Sequence, residues 1–355
     1  MVLRMMMRIL DPGSRNGRNL TQEEARHAFE AILAGGEDEI AIAAFLVAVK
    51  CKGMSTEELT GFAMAARDQA TFPCVDTPGL VCVSPPHDGY ESLPPLEVAA
   101  GLVAAAAGSR VLILAGRGVP PRRGLTAANV LEALGAHMTW DPHEAESWVS
   151  DLGFAVCAVG GMLPALVNLR QVRGSVFVRT PLSTVEKLMA PPGSSVLLGA
   201  QEGPVLGAAV EVIQAIGHPR GIALQGPEGS VIPRVRRRTR GIELNGSHLA
   251  PITVEPDDFG LGGDSDPELP MFGPPEVGEG TSDNPALVQA CGAITHAVLS
   301  GETGQARNAT LLTAALILKV SGRCMTLAEG VDAAVRATDS GAGLALLDKL
   351  RQAGE

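Results

Sequence analysis

Residues 79–114 read GLVCVSPPHDGYESLPPLEVAAGLVAAAAGSRVLIL, and this stretch decides the fold class. Two short apolar runs, at 80–83 and 111–114, flank an Ala-rich segment at 96–107 that has the length of a helix. A buried strand, a helix and a second buried strand in this order are typical of a parallel sheet with crossover helices. The sequence therefore predicts an α/β fold with a mostly parallel central sheet.

The same alternation continues toward the C-terminus. A helix is predicted at 126–134, and short apolar runs predict further strands at 196–198 and 222–224. The stretch 241–280 is rich in Gly, Pro and Asp, which predicts mostly loop with one extended segment near Ile252.

Three short helices are predicted before the first strand. Thr21 and Ser55 are followed three residues later by Glu24 and Glu58, which is the spacing of a capping box. An almost entirely apolar helix at 40–50 lies between them. Three helices alone cannot bury so many apolar faces, so later helices or a second subunit must cover them.

The length of 355 residues suits one large domain and one smaller one. We predict a leader at 1–18, a helical domain at 19–75 that later helices complete, and an α/β domain at 76–355. Apolar residues make up 46% of the chain and charged residues 19%, as expected for a packed core. Aromatic residues are only 3%, which weakens any nucleic-acid binding that depends on base stacking.

The cysteines and the N-terminus indicate a cytoplasmic protein. The 6 cysteines form no C-x-x-C pair, and the 7 histidines do not cluster near them, so we predict reduced thiols and no metal site. Arg4 and Arg8 interrupt the apolar start, which excludes a signal peptide there. No apolar run is long enough for a membrane span, and no membrane partner is expected.

Charge is distributed unevenly along the chain. The net charge is −11, yet residues 108–240 hold 14 Lys and Arg against 9 Asp and Glu, a balance of +5. The residues outside this range must therefore carry a net charge of −16. A basic central region between acidic flanking regions attracts polyanions locally, while the whole protein keeps a net negative charge.

Motifs along nearly the whole chain resemble the anthranilate phosphoribosyltransferases of glycosyltransferase family 3. The matching segments are LTQEEARHAFEAILAGG at 20–36, KGMSTEEL at 52–59, NVLEALG at 129–135, PDDFGL at 256–261 and LSGETGQARNA at 299–309. The resemblance implies a helical domain and an α/β domain of the nucleoside phosphorylase/phosphoribosyltransferase type. It also implies a homodimer formed through the helical domain.

The phosphate-binding motifs of that family are altered here. Where the family has Gly-Thr-Gly-Gly-Asp, residues 84–89 read SPPHDG. Two prolines remove N–H donors and fix φ, the reverse of what a phosphate cradle requires. His87, Asp88 and Gly89 remain as a degenerate phosphate loop.

Three further family motifs differ as well. The family's Asn-x-Ser-Thr is replaced at 95–98, where Glu97 is expected to place a negative charge in the diphosphate site. The loop that reads His-Gly-Asn-Arg in the family is Ala-Gly-Arg-Gly at 115–118, and the magnesium-binding Asp-Glu pair falls on Val231 and Ile232. Glu228 lies too close to a glycine turn to be taken as a replacement for either carboxylate of that pair. We therefore predict no catalytic residue and no cofactor, with magnesium required only if transferase activity survives.

Basic residues stand in and around these loops. The candidate anion-binding residues are Arg117, Arg122, Arg123, Arg170, Arg179, Lys187, Arg234, Arg236, Arg237, Arg238 and Arg240. Loops that follow parallel strands meet at one edge of a sheet, so the three loops at 84–89, 116–124 and 226–240 are expected to converge. With GPEGSVIPR at 226–234, the pattern resembles the YbiB-type branch of the superfamily, which is associated with nucleic-acid binding.

Three hypotheses follow from the sequence. In the first, the arginine-lined cleft binds a polyanion, nucleic acid or another phosphate-bearing ligand, without catalysis. In the second, the chain is an active phosphoribosyltransferase or glycosyltransferase, and Arg117, Arg122 and Arg123 neutralise the diphosphate in place of magnesium. In the third, a pseudoenzyme binds a nucleotide or a protein partner. The missing metal ligands favour the first hypothesis over the second and do not separate it from the third.

Overall fold

The protein is described by a computed structural model that covers residues 1–11, 13, 15–201, 205–270 and 280–353. Its strands are β1 (Leu80–Ser84), β2 (Arg110–Leu114), β3 (Phe154–Cys157), β4 (Ser195–Gly199), β5 (Arg220–Leu224), β6 (Thr239–Asn245) and β7 (His248–Val254). Its N-terminal helices are α1 (Val2–Leu10), α2 (Gln22–Leu33), α3 (Glu39–Lys52) and α4 (Thr56–Asp68).

The later helices cover the sheet and complete the helical part. They are α5 (Glu97–Ala106), α6 (Ala127–Ala133), α7 (Pro142–Leu152), α8 (Val159–Met162), α9 (Ala165–Asn168), α10 (Arg170–Val176), α11 (Pro181–Val185), α12 (Val205–Ala215), α13 (Pro285–Leu299), α14 (Gln305–Val320), α15 (Leu327–Asp339) and α16 (Ala342–Ala353). Short 3-10 helices lie at Glu186–Leu188, Pro227–Gly229, Pro256–Phe259 and Thr281–Asp283. In the described ranges, no helix is both long enough and apolar enough to cross a membrane.

The described strands form one seven-stranded sheet in the order β3-β2-β1-β4-β5-β6-β7. The first five strands in this order are parallel, which confirms the predicted α/β class. From β1 the chain moves outward to β2 and β3, and then returns to place β4 on the other side of β1. This reversal creates a crevice at the carboxyl ends of β1 and β4, the usual place of ligand sites in open α/β sheets.

The strands β6 and β7 form an antiparallel hairpin that the sequence analysis missed. The two strands pair from Thr239 with Val254 to Asn245 with His248. The prediction of loop is therefore wrong for residues 241–245, whereas the extended segment expected near Ile252 is part of β7. Gly241 and Pro251 interrupt the alternation that normally reveals a strand, and proline is tolerated here because β7 is at the edge of the sheet. Part of the predicted loop, residues 271–279, lies outside the described residues.

The N-terminal helices are fixed mainly by their caps. Both predicted capping boxes, Thr21 with Glu24 and Ser55 with Glu58, are present. Helix α1 lies within the segment assigned to the leader and buries its apolar residues against the rest of the bundle. Helix α4 packs on α12, so a later helix covers part of the apolar surface, as the sequence analysis required.

Glu58 joins three of these helices. Its carboxylate is fully buried and accepts hydrogen bonds from the N–H groups of Leu20 (2.9 Å) and Ser55 (2.9 Å). It also accepts one from the Lys52 ammonium over 2.7 Å. One side chain therefore links the start of α2, the end of α3 and the start of α4.

We expect Glu58→Ala to lower the free energy of unfolding by about 3 kcal/mol, because it leaves the N–H groups of Leu20 and Ser55 without their acceptor and the Lys52 ammonium without its carboxylate. Urea denaturation measures the change. Glu57→Ala is the matched control: Glu57 is the preceding residue and is exposed, so a loss below about 1 kcal/mol is expected. Equal losses in the two variants would contradict the role assigned to Glu58.

Candidate arginine-lined site

Three loops meet at the carboxyl edge of the parallel strands. The N–H of Gly124, in the loop after β2, donates to the carbonyl oxygen of Asp88, in the loop after β1, over 2.7 Å. The loop after β5 joins them through Glu228, whose carboxylate contacts residues 91–93. The predicted convergence is therefore confirmed for the first two loops and for the turn Pro227–Gly229 of the third.

Gly89 allows the first two loops to approach each other closely. Its φ of 77° lies in the left-handed region that favours glycine. A Cβ at this position would lie 2.3 Å from the carbonyl carbon of Gly124. The glycine retained in the degenerate phosphate loop therefore serves the contact between two loops.

Glu228 is held by five donors. Its Oε2 accepts from the N–H of Glu91 (2.8 Å) and from Arg122 Nη1 (3.1 Å). Its Oε1 accepts from the N–H and hydroxyl of Ser92 (3.0 and 2.8 Å) and from the N–H of Leu93 (3.0 Å). Arg122 is therefore neutralised by a carboxylate of this chain.

Asp88 and Arg179 form a second internal pair. Arg179 Nε and Nη2 donate to the two Asp88 oxygens over 2.6 and 2.7 Å. The Asp88 side chain is only 2% exposed, and bidentate pairs of this kind are strong. Neither member of the pair is available to a ligand while it lasts.

His87, Arg173 and Glu186 lie together in the interior. Arg173 Nη1 is 2.5 Å from Glu186 Oε2, and both side chains are more than nine-tenths buried. Burial is the main cause that lowers the pKa of His87, so its imidazole is neutral at pH 7. These three residues, with Arg117 and Arg170, line a small cavity of about 30 Å³.

Lys187 has no acidic side chain among its described hydrogen-bond partners. Its ammonium donates to the carbonyl oxygens of Gly199 (2.6 Å) and Gly229 (3.2 Å). Burial, followed by the positive charge of Arg179, lowers the pKa of Lys187 to about 7. The side chain lines a cavity of about 200 Å³ between the helical and α/β parts, where Lys50 and Met54 also contribute.

Arg117, Arg123 and Arg170 lie farther out. Together with Gln171 they line a cavity of about 420 Å³. Arg117 is 73% exposed and makes a 3.1 Å ion pair with Glu132, while the guanidinium of Arg170 lies 5.6 Å from the centre of the Trp140 ring. An exposed ion pair of this kind contributes little and opens readily.

The segment 234–240 forms a separate basic surface at the junction of β5 and β6. Its cavity of about 370 Å³ is lined by Gln225, Arg234, Arg237, Arg238, Thr239 and Arg240. Asp266 fixes the segment by accepting from Arg234 Nη1 (3.0 Å) and from the N–H groups of Val235 (2.9 Å) and Arg236 (3.2 Å).

The structure thus divides the predicted basic residues into two kinds. The inner ones, Arg122 and Arg179, are paired with carboxylates of this chain, and Lys187 is held by carbonyl groups. The outer ones line two separate cavities, one on the loop after β2 and one at 234–240. Only Arg122 joins the second loop to the third through a side-chain ion pair that the structure describes.

The structure contradicts the expectation that Glu97 carries a negative charge. Glu97 is in the first turn of α5, fully buried, with Tyr90 Oη 3.4 Å away. Burial raises the pKa of Glu97 to about 8, so the side chain is neutral at pH 7.

The described residues do not fit a magnesium site. Val231 and Ile232, on which the family's magnesium-binding Asp-Glu pair falls, are buried apolar side chains. Glu228 already accepts hydrogen bonds from five donors. In the part of the chain that the structure describes, no group of three Asp, Glu, His or Cys side chains could hold a metal ion.

Sequence reasoning missed the carboxylates that neutralise the site: Glu228, Glu186 and Asp266. No local pattern marks them, since each is separated from its arginine by 13 to 106 residues. The only available signal was the general rule that a buried arginine requires a partner.

Comparisons with known proteins agree with this fold along the whole chain. Residues 14–70 match the glycosyl transferase family helical bundle domain, and residues 95–344 match the α/β domain of the same family. The chain belongs to glycosyl transferase family 3. Anthranilate phosphoribosyltransferases from Paracidovorax citrulli and Methylobacterium radiotolerans are 28% and 30% identical to it, covering 94% and 95% of this chain and 92% and 93% of theirs.

Solved structures of the family share the architecture. Anthranilate phosphoribosyltransferase from Thermus thermophilus has a TM-score of 0.78 at 28% identity and covers 95% of this chain and 96% of its own. The Saccharomyces cerevisiae enzyme in complex with PRPP and Mg has a TM-score of 0.78 at 15% identity, covering 99% and 98%, and so supports the fold alone. The family and fold that the sequence motifs predicted are confirmed.

Glu97 makes stability depend on pH. Between pH 4.5 and about 8 the folded chain retains a proton that the unfolded chain releases, so this residue lowers the free energy of unfolding as pH rises. We expect Glu97→Gln to remove up to about 1.4 kcal/mol of that decline per pH unit. Urea denaturation of the parent and the variant at pH 5 and pH 8 measures this difference, because the contributions of all other titrating groups are the same in the two proteins. If the free energy of unfolding changes equally with pH in both, Glu97 is not a buried, protonated carboxyl.

Proposed function

We propose that this chain binds a polyanion, with nucleic acid as the ligand, through its outer arginines, and that it does not catalyse magnesium-assisted phosphoribosyl transfer. The segment 234–240 carries this proposal. Among the described residues that line its cavity, four are arginines and none is Asp or Glu. A cavity with this lining suits phosphate groups.

The way the segment is held supports a binding role. Asp266 and the bond from the Arg234 N–H to the Thr239 hydroxyl (2.9 Å) fix the backbone. Arg236, Arg238 and Arg240 are exposed, and the structure describes no ion pair for these three side chains. A fixed backbone reduces the entropy lost when the guanidinium groups bind phosphates.

The second basic cavity gives the ligand a further place to bind. Arg117, Arg123 and Arg170 lie in it, together with the neutral Gln171 and one carboxylate, that of Asp283. Contacts of this type recognise the phosphate backbone and carry little sequence preference. The scarcity of aromatic residues agrees with backbone recognition, as does the proposed assignment to the YbiB-type branch.

The inner cleft argues against ordinary transferase chemistry. Its arginines are already neutralised by Glu228, Asp88 and Glu186, so an incoming diphosphate must displace a carboxylate. Among the described residues, no group of three Asp, Glu, His or Cys side chains there could hold a metal ion. The prolines of the loop at 84–89 remove N–H donors that a phosphate cradle needs.

The alternative function is an active phosphoribosyltransferase with a rebuilt site. Full-length similarity to anthranilate phosphoribosyltransferases favours it. In that case Arg117, Arg122 and Arg123 would stabilise the leaving diphosphate. The third hypothesis, a pseudoenzyme for a nucleotide or protein partner, keeps the same basic surfaces and differs only in the ligand.

The division into a helical domain at 19–75 and an α/β domain at 76–355 stays a prediction, as does the homodimer. The match of the helical bundle domain to 14–70 supports the boundary. Ile40 on α3 is 79% exposed and Met5 on α1 is 53% exposed, so the helical part has apolar side chains that a second subunit could cover.

Replacing Arg236, Arg238 and Arg240 together by Ala should weaken binding to single- and double-stranded DNA of any sequence. The slope of log affinity against log salt should fall by about 0.7–0.9 for each lost phosphate contact. Fluorescence anisotropy titrations at several salt concentrations measure both quantities.

The matched control is a second triple variant, in which Arg4, Arg8 and Arg336 are replaced together by Ala. It also removes three positive charges, from exposed positions on α1 and α15. This control should keep most of the affinity and slope of the parent. If both triple variants stay folded and bind equally well, the segment 234–240 is only a solvated loop.

No anthranilate phosphoribosyltransferase activity is expected with magnesium, phosphoribosyl diphosphate and anthranilate. Each missing transition-state contact typically costs a factor of about 10²–10³ in kcat, and several are absent here. The assay follows loss of anthranilate fluorescence, with heat-treated protein as the blank. Turnover clearly above that blank would establish the alternative function.

A further inference from the structure

Trp140, between α6 and α7, is an exposed aromatic residue to which no role has yet been given. The sequence contains 2 tryptophans, and they differ in exposure: Trp140 is 42% exposed, whereas Trp148 is only 7% exposed. Single exposed apolar side chains are common on protein surfaces, so exposure alone indicates no function. The neighbours of Trp140 decide whether it has one.

The side chains beside Trp140 are basic. The Arg170 guanidinium carbon lies 5.6 Å from the centre of the indole ring. Arg117 and Arg170 line the small cavity that Trp140 borders, and both also line the basic cavity of about 420 Å³. Within the described residues, Arg170 makes no ion pair with a carboxylate, so its guanidinium is available to a phosphate. An aromatic ring therefore lies next to cations that suit phosphates, and a nucleotide offers a partner to each.

The indole ring is held in a defined position. The N–H of Thr139 donates to the carbonyl oxygen of Val156, and the Thr139 carbonyl oxygen accepts from the N–H of Ala158, both over 2.9 Å. The backbone just before Trp140 is thereby fixed to the end of β3. A Cβ at Gly160 would lie 2.7 Å from Trp140 Cζ3, so the ring packs directly against the backbone there. A ring that is already fixed loses little entropy when another ring stacks on its exposed part.

We propose that Trp140 stacks one unpaired nucleobase while the arginines of the neighbouring cavity bind the adjacent phosphates, so that this surface selects single-stranded nucleic acid over duplex. This inference rests on the nucleic-acid binding proposed above and adds the form of the strand. In a duplex the bases already stack on each other, so Trp140 gains no contact. Stacking tolerates any base, because every base has an aromatic face, and the selection is therefore for strand form and not for sequence.

Two single strands of about 12 nucleotides test the proposal, one of thymidines and one of abasic sugars. The two strands carry the same phosphates, so the difference in their affinities measures the contacts to bases. The parent should bind the thymidine strand about tenfold more tightly, a difference of about 1.4 kcal/mol. Trp140→Leu should abolish that difference and leave the affinity for the abasic strand unchanged, whereas Trp140→Phe should keep most of it. The proposal fails if Trp140→Leu retains the full difference.

Phe177→Leu is the matched control. Phe177 is also an exposed aromatic residue, at 81%, but it is not among the described residues that line either basic cavity, so this variant should bind both strands as the parent does. An equal loss in Phe177→Leu and Trp140→Leu would contradict stacking at Trp140. A parent that binds both strands equally overturns this inference alone. A parent that binds neither strand overturns the proposed nucleic-acid binding, and this inference with it.

The intrinsic fluorescence of the parent decides the question even if Trp140→Leu folds poorly. Trp148 is buried, so Trp140 is the tryptophan that a base can reach from solvent. At saturation, the thymidine strand should quench the tryptophan emission because a base stacks on the indole, and the abasic strand should not. Equal emission in the two complexes would show that no base lies on Trp140 and would overturn the proposal.

Discussion

The need to neutralise buried charge governs the crevice between β1 and β4. An arginine removed from water is costly unless a carboxylate accompanies it, and each inner arginine here has one. Arg179 has Asp88, Arg173 has Glu186 and Arg122 has Glu228. These pairs fix the loops that carry them, so the shape of the crevice and its charge balance have the same origin.

This constraint separates the two basic regions of the molecule. Inside the crevice, burial makes pairing obligatory, and the arginines become part of the structure. At 234–240, Arg234 pairs with Asp266, whereas exposure to solvent removes that requirement for Arg236, Arg238 and Arg240. The exposed Arg236, Arg238 and Arg240 lie at the start of the β6–β7 hairpin.

The sequence predicted the parallel sheet and the N-terminal helices because their signals are local. The apolar run before Ser84 and the capping boxes at Thr21 and Ser55 each determine their own element. The hairpin was missed because Gly241 and Pro251 break the alternation within it. The inner ion pairs could not be predicted, because Glu228 meets Arg122 across 106 residues of chain and only the folded sheet brings them together.

The proline in β7 has a consequence for how copies of this protein meet. An edge strand offers unpaired main-chain groups on which another chain can extend the sheet. Pro251 lacks one N–H donor, and its ring restricts the backbone, so a seven-residue edge loses its regular ladder at the centre. Self-association by sheet extension along β7 is thereby discouraged, close to the point where Thr253 of β7 pairs with Arg240 of the arginine segment.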